Sequence, residues 1–202
     1  MGDLTTSLIL LTTTFLLGTL AVHWTADHLL LWQSPITRAS LLSAHGYYAE
    51  TLGHLSARAL AALYALGGAA VLACCVKIAA GRESNWLFDG ASLFLYGAVG
   101  LVYFQKIRPS ILALPTAASP AADPLDPLDL TLVPLRELAS SNAVIAVALI
   151  GVLILQAGQY YSERLEERER IEEDEARVRR RRRRAEKLLA TQAKLAATSA
   201  SQ

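Results

Sequence analysis

All four histidines of the chain, His23, His28, His45 and His54, fall in one segment together with Asp27 and Glu50. Imidazole nitrogens and carboxylate oxygens are the donors a metal-dependent hydrolytic site uses. His23 and Asp27 at i and i+4 would share one helix face. The segment has no His-Glu-x-x-His signature and no close histidine pair at ligand spacing, so a small metal-dependent enzyme is the alternative it keeps open. A second segment, Ala122-Asp-Pro-Leu-Asp-Pro-Leu-Asp-Leu130, repeats a tripeptide with three aspartates. It offers no compact calcium loop, and its prolines favour extended, water-exposed linker backbone. Cys74 and Cys75 are the only cysteines, and as neighbours on a helix they cannot readily bridge, which excludes a disulfide scaffold. Palmitoylation and ordinary burial both fit them. No phosphate-binding loop, nucleophile elbow or dinucleotide fingerprint occurs. The expectation is a non-enzyme with no catalytic residue, no metal ligand and no cofactor.

The elements that carry these residues are set by hydropathy. The chain is 53% hydrophobic and only 18% charged, with mean hydropathy +0.33, whereas soluble chains are about a quarter charged. Residues 162–202 hold 12 of the 19 Lys/Arg and 9 of the 18 Asp/Glu. A chain so sorted is a membrane domain with a polar appendage. Uncharged runs predict four transmembrane helices at about residues 4–22, 57–76, 87–105 and 139–161, so the fold class is all-α and polytopic. The first run lacks a basic flank and is long for a cleaved signal, so it is expected to stay as a span. Arg58 and Lys77 are expected to snorkel from the ends of the second span. Asp89 suits the first turn of the third, where its charge meets the positive end of the helix dipole. Residues 1–161 form the membrane domain and 162–202 a charged helical tail.

Four spans put both termini on one side. The tail carries 12 basic residues, and Lys77 and Arg82 lie in the short loop on the same side, against Arg38, Arg58, Lys106, Arg108 and Arg136 opposite. The positive-inside rule then makes both termini cytosolic and turns the histidine-bearing and Asp-Pro segments toward the lumen or exterior. Neither of those segments contains a glycosylation sequon. Trp24, Trp32, Tyr47 and Tyr48 suggest that much of the first lies against the membrane surface.

No ionisable residue lies in the middle of a span and no span contains proline, which argues against a coupled transporter. A passive pore or scaffold subunit stays open. The second span carries Ala57, Ala61, Ala65, Ala69 and Ala73 at spacing four. That smooth face permits close backbone approach, either by a neighbour in the bundle or by a foreign transmembrane helix. Thr12, Thr13 and Thr19 in the first span should bond their own helix's carbonyls, and Asn142 near the start of the fourth is expected at the interface. In the tail, Glu166–Arg170, Glu173–Arg177 and Glu175–Arg179 are i, i+4 pairs in the favoured order. Ile171, Val178 and Ala185 recur every seven residues, too sparsely for a coiled-coil seam. Arg179, Arg180, Arg181, Arg182, Arg183 and Arg184 form a run suited to anionic lipid headgroups or to a cytosolic partner. Nucleic acid is not an expected partner behind four spans.

Three stretches carry a resemblance: Thr14-Phe-Leu-Leu-Gly18, Ala91-Ser-Leu-Phe-Leu-Tyr96, and Leu155-Gln-x-Gly158-Gln159-Tyr160-Tyr161. With Leu31-Trp32 and Val76-Lys77 they occur in the order found in the fungal packaging chaperones of amino-acid permeases, and the chain resembles that family from about residue 4 to 163. The resemblance implies a multi-pass, non-enzymatic protein of the endoplasmic reticulum. It would bind newly made amino-acid permeases, keep their helices from aggregating and present them for loading into coat-complex-II vesicles, with its tail touching vesicle coat components. Candidate client-helix contacts are Ala61, Ala65 and Ala69 on the smooth face and Ser92, Gln156, Gly158, Gln159 and Tyr160 in the resembling stretches. The alanine-rich second span, the Asp-Pro repeat and the arginine run depart from the family pattern.

Overall fold

The computed structural model describes residues 2–53, 55–80, 86–115 and 131–199. Every regular element among them is helical: α1 Gly2–Val22, α2 Trp24–Leu31, α3 Arg38–Gly53, α4 Ala57–Ala80, α5 Trp86–Val102, a π-helical turn Tyr103–Ile107, α6 Arg108–Ala113 and α7 Leu132–Ser199. Four stretches, Leu4–Val22, Ala57–Ala80, Trp86–Ala113 and Leu132–Lys187, are long and apolar enough to cross a membrane. The all-α, four-helix class expected from hydropathy is therefore the one found. His54, Arg82 and the Asp-Pro repeat lie outside the described residues.

The third of these stretches runs through a proline without breaking. Pro109 lacks the N–H that would bond the carbonyl four residues back, and its ring crowds that carbonyl. The chain answers with the π turn at Tyr103–Ile107 directly before it, widening the backbone so that the helical axis continues into α6.

The chain divides into two compact units, Met1–Gly158 and Gln159–Gln202. In the first, α1 and α5 flank α4. Ile9 of α1, Ala70, Ala73 and Cys74 of α4, Tyr96 of α5 and Ile145, Leu149 and Val152 of α7 close one core, joined by Ile107 from the π turn. Between lipid-immersed helices the hydrophobic effect contributes little, so close packing and hydrogen bonds must supply the cohesion. The threonines of α1 behave as expected: Thr12 donates to the Leu8 carbonyl at 2.7 Å and Thr19 to that of Leu16 at 2.7 Å. Thr13 adds a cross-helix bond, its hydroxyl meeting the Tyr96 hydroxyl at 2.5 Å. Two glycines let α7 approach α5. A Cβ on Gly151 would stand 3.0 Å from Leu95 Cδ1, and one on Gly158 would stand 3.2 Å from Phe88 Cε1.

A second core lies beside the first. Ala26 and Leu30 of α2, Leu41, Ala44 and Tyr48 of α3, and Leu132, Leu135, Leu138 and Ala139 from the start of α7 bury one another. The segment between the first two spanning helices is thus a packed pair of helices. Trp24 and Trp32 remain exposed, as an interfacial position requires, while Tyr48 is fully buried. Where such a core borders water, each large side chain buried in it contributes about 1.5–3 kcal/mol.

Seven of the buried positions in α7 are Leu135, Leu138, Asn142, Ile145, Leu149, Val152 and Gln156. They alternate spacings of three and four, the seam by which one straight helix serves a bundle over several turns. Two of those seven positions hold amides.

The second unit, described by itself, is helical through Ser199. Arg164 sits 5.2 Å over the Tyr160 ring and pairs with Glu167 at 3.0 Å. Arg170 and Arg179 reach Glu166 at 3.9 Å and Glu175 at 3.2 Å.

Candidate functional site

The two amides of the α7 seam each meet a carboxylate. Gln156 Nε2 donates to Ser92 Oγ at 3.0 Å and to Asp89 Oδ1 at 3.4 Å. Its carbonyl oxygen accepts from Lys77 Nζ at 3.3 Å. Lys77 in turn pairs with Asp89 at 3.1 Å, both side chains at most 5% exposed. Lys77 was expected to snorkel. Instead α4 continues to Ala80, which places Lys77 a turn inside the helix and facing α5 and α7. Asp89 does stand in the first turn of α5, but a lysine neutralises it and burial hides it. A charge so enclosed costs several kcal/mol unless matched, which is why a cation and an amide converge on it.

The second carboxylate is Asp27 of α2. Tyr48 donates to its Oδ1, Asn142 Nδ2 donates to Oδ2 at 3.2 Å, and the same amide lies 3.1 Å from the Tyr48 hydroxyl. Asn142 is therefore buried between helices. His23 stacks on Tyr48 with ring centroids 5.7 Å apart, and its Nδ1 lies 3.1 Å from the Tyr47 hydroxyl. No lysine or arginine pairs with Asp27 among the ion pairs of the described residues. Burial raises its pKa from the ordinary carboxylate value to about 6, against the opposing hydrogen bonds from Tyr48 and Asn142. Burial, then the bond to Asp27, pushes the Tyr48 phenol far up, and burial lowers His23.

The candidate contact residues divide by exposure. Ala61 and Ala65 are exposed on α4, Ala69 is half-buried, and Ala73 enters the core, because a stripe at spacing four winds slowly around a helix of 3.6 residues per turn. Gly68 is also exposed, and a Cβ added there would meet nothing within 4 Å. Tyr160 is exposed. Ser92 and Gln156 face each other inside the bundle and Gly158 receives the Phe88 ring, so these three serve internal packing here. Gln159 is buried and donates to Glu163 at 3.0 Å. Sequence reasoning missed the partnership of Asp27, Tyr48 and Asn142, and that of Lys77, Asp89 and Gln156. The three–four spacing of buried positions in α7, with amides at Asn142 and Gln156, was the signal that could have found them.

Among the described residues the histidines do not converge. His28 lies between Trp24 and Trp32 in a ring stack, and His45 Nε2 meets the Pro115 carbonyl at 2.8 Å. Among the described residues no group of three His, Cys, Asp or Glu could hold a metal. Cys74 is buried and Cys75 exposed. The six arginines of residues 179–184 are all exposed.

The model of the SHR3 chaperone family, described as ER membrane protein SH3, matches residues 1–194. No curated protein and no solved structure matches the chain. The match spans both cores and most of the tail helix, and the chain belongs to this family of ER membrane chaperones.

Proposed function

We propose that this ER membrane chaperone assists the folding of newly made amino-acid permeases and their packaging into coat-complex-II vesicles. Both termini are cytosolic in this reading, the α2–α3 layer is lumenal, residues 1–161 act as the client-facing domain, and the tail from residue 162 meets coat components. The observation that carries it, beside family membership, is the exposed start of the α4 face. Ala61 and Ala65 are not consumed by the protein's own packing. Lipid-facing small residues give a client helix what lipid tails cannot, namely close backbone approach with dense dispersion contact. Ala69 and Tyr160 extend the same reading. Ser92, Gln156, Gly158 and Gln159 belong to it indirectly, by holding α5 and α7 in place.

Deleting the gene in its own fungus and imaging a tagged amino-acid permease beside an unrelated plasma-membrane protein tests the function. Retention of the permease alone in the endoplasmic reticulum is the expected result, and normal arrival of both removes the reading. Replacing Ala61, Ala65 and Ala69 by Leu should abolish permease co-purification while the protein still accumulates. Unchanged co-purification would take that face out of the account.

A further inference from the structure

We propose that the arginine block at residues 179–184 binds an acidic protein segment held away from the bilayer, and does not rest on the membrane from which the tail emerges. The inference rests on the reading of the tail as a cytosolic arm that meets a partner, and it names the chemistry of that partner.

Charge along the tail is segregated. Residues 163–175 contain eight acidic and three basic residues, and residues 177–187 contain eight basic and one acidic. Arg179 is satisfied at the edge of its block by Glu175, at 3.2 Å. Deeper in, helical spacing sets like against like: Arg177 with Arg181, Arg179 with Arg183, and Arg180 with Arg184 are i, i+4 pairs. Such pairs destabilise a helix, and an anionic partner would relieve them. Guanidinium groups also grip carboxylates bidentately, which favours Asp and Glu side chains as the ligand.

Position decides between the anions on offer. Arg179 lies 18 residues beyond the exposed Tyr161, about 27 Å along a helix at 1.5 Å per residue. Screening at physiological salt acts over about 8 Å. A tail standing off the bilayer thus carries the block well past the reach of headgroup charge. A tail lying flat would first press its acidic stretch onto anionic headgroups. Six consecutive arginines also occupy the whole circumference of the helix, leaving no apolar face of the kind a surface-lying helix buries. A second copy in the same membrane would align its tail in parallel and set arginines on arginines. RNA would find no stacking platform, since no aromatic residue follows Tyr161.

The test uses the full chain in nanodiscs of neutral phosphatidylcholine and a fluorescein-labelled peptide of alternating Glu and Ser, read by anisotropy. Binding is expected, with a loss of about tenfold or more when residues 180–184 are changed from Arg to Gln. Arg→Lys at the same positions should retain part of the affinity, because charge survives where the fork is lost. Adding anionic lipid to the discs should leave peptide binding unchanged. A loss of peptide binding on anionic discs would mean that the bilayer occupies the block, and would overturn the proposal. So would equal binding by the Gln variant, tail-to-tail cross-linking that the peptide competes away, or tighter binding of an RNA oligonucleotide of the same charge. Permease retention is scored separately in cells, so the chaperone reading and the acidic-partner reading can each fail alone.

Discussion

Two buried carboxylates, both held by amides of α7, solve the same electrostatic problem in opposite ways. Asp89 has Lys77 at 3.1 Å and forms a buried ion pair with it. Asp27 has Tyr48 and Asn142 but no paired cation among the described residues, and burial raises its pKa to about 6. The difference follows from location. Asp89 is fully buried in the first turn of a helix apolar enough to cross the membrane, and there a charge is matched by a charge. Asp27 lies in the short helix beyond α1, where a proton is available to neutralise it.

The largest test of this contrast removes one partner of the ion pair. Lys77→Met leaves Asp89 buried and uncompensated and should cost about 3–5 kcal/mol, read as a lowered midpoint of detergent-induced unfolding. Adding Asp89→Leu to the same chain should restore most of that loss. If the double variant is as unstable as the single one, the pair contributes more than mutual neutralisation.

Next in size is steric pressure on the helix contact that brings Gln156 to Asp89. Gly158→Val must displace Phe88, whose ring would stand 3.2 Å from a Cβ, and should cost about 1–3 kcal/mol in the same unfolding assay. Gly151→Ala meets only the far end of Leu95 and should cost less.

The Asp27 cluster offers a pH test with a defined sign. Its folded-state pKa stands above the ordinary carboxylate value, so its stabilising effect is complete below about pH 4 and declines as pH rises to about 6. His23, lowered by burial, works in the opposite sense. The Asp27 contribution is therefore the wild-type profile minus that of Asp27→Asn, followed through the fluorescence of Trp24 and Trp32 on thermal melting. Parallel profiles across that window would show that Asp27 titrates as an ordinary carboxylate.

The smallest effect belongs to a surface pair that resembles the Lys77 pair only on paper. Lys106 and Glu137 stand 2.6 Å apart, closer than Lys77 and Asp89, yet their side chains are 56% and 38% exposed. Lys106→Ala should change stability by less than about 1 kcal/mol in the same unfolding assay. A larger loss would mean that distance and not desolvation ranks these pairs.

Much of the architecture could be read from the chain in advance. Long uncharged runs announced four apolar helices, Glu–Arg spacing announced a helical tail, and the alanine register announced a smooth stretch on α4. What could not be read was tertiary. Lys77 next to an apolar run has the same local signature whether it snorkels or turns inward; the choice depends on Asp89 and Gln156, far along the chain. Residues 132–138 looked like a connection to the fourth helix, but Leu135 and Leu138 are buried because α3 lies against them. The histidines looked like ligands because composition gathered them, whereas the fold gives His23, His28 and His45 separate neighbours.

Asn142 and Gln156 of α7 are 14 residues apart, two heptads on one seam. They act as indexing pins. Inserting one residue between them turns everything beyond by about 100° and carries Gln156 off Asp89 while Asn142 stays on Asp27. Inserting seven restores the face but advances Gln156 by about 10 Å, past any partner. Neither change can be absorbed by sliding the helix, because correcting one pin misplaces the other. Between Asn142 and Gln156 the length of α7 is therefore fixed, and insertions or deletions are tolerated only beyond the second pin.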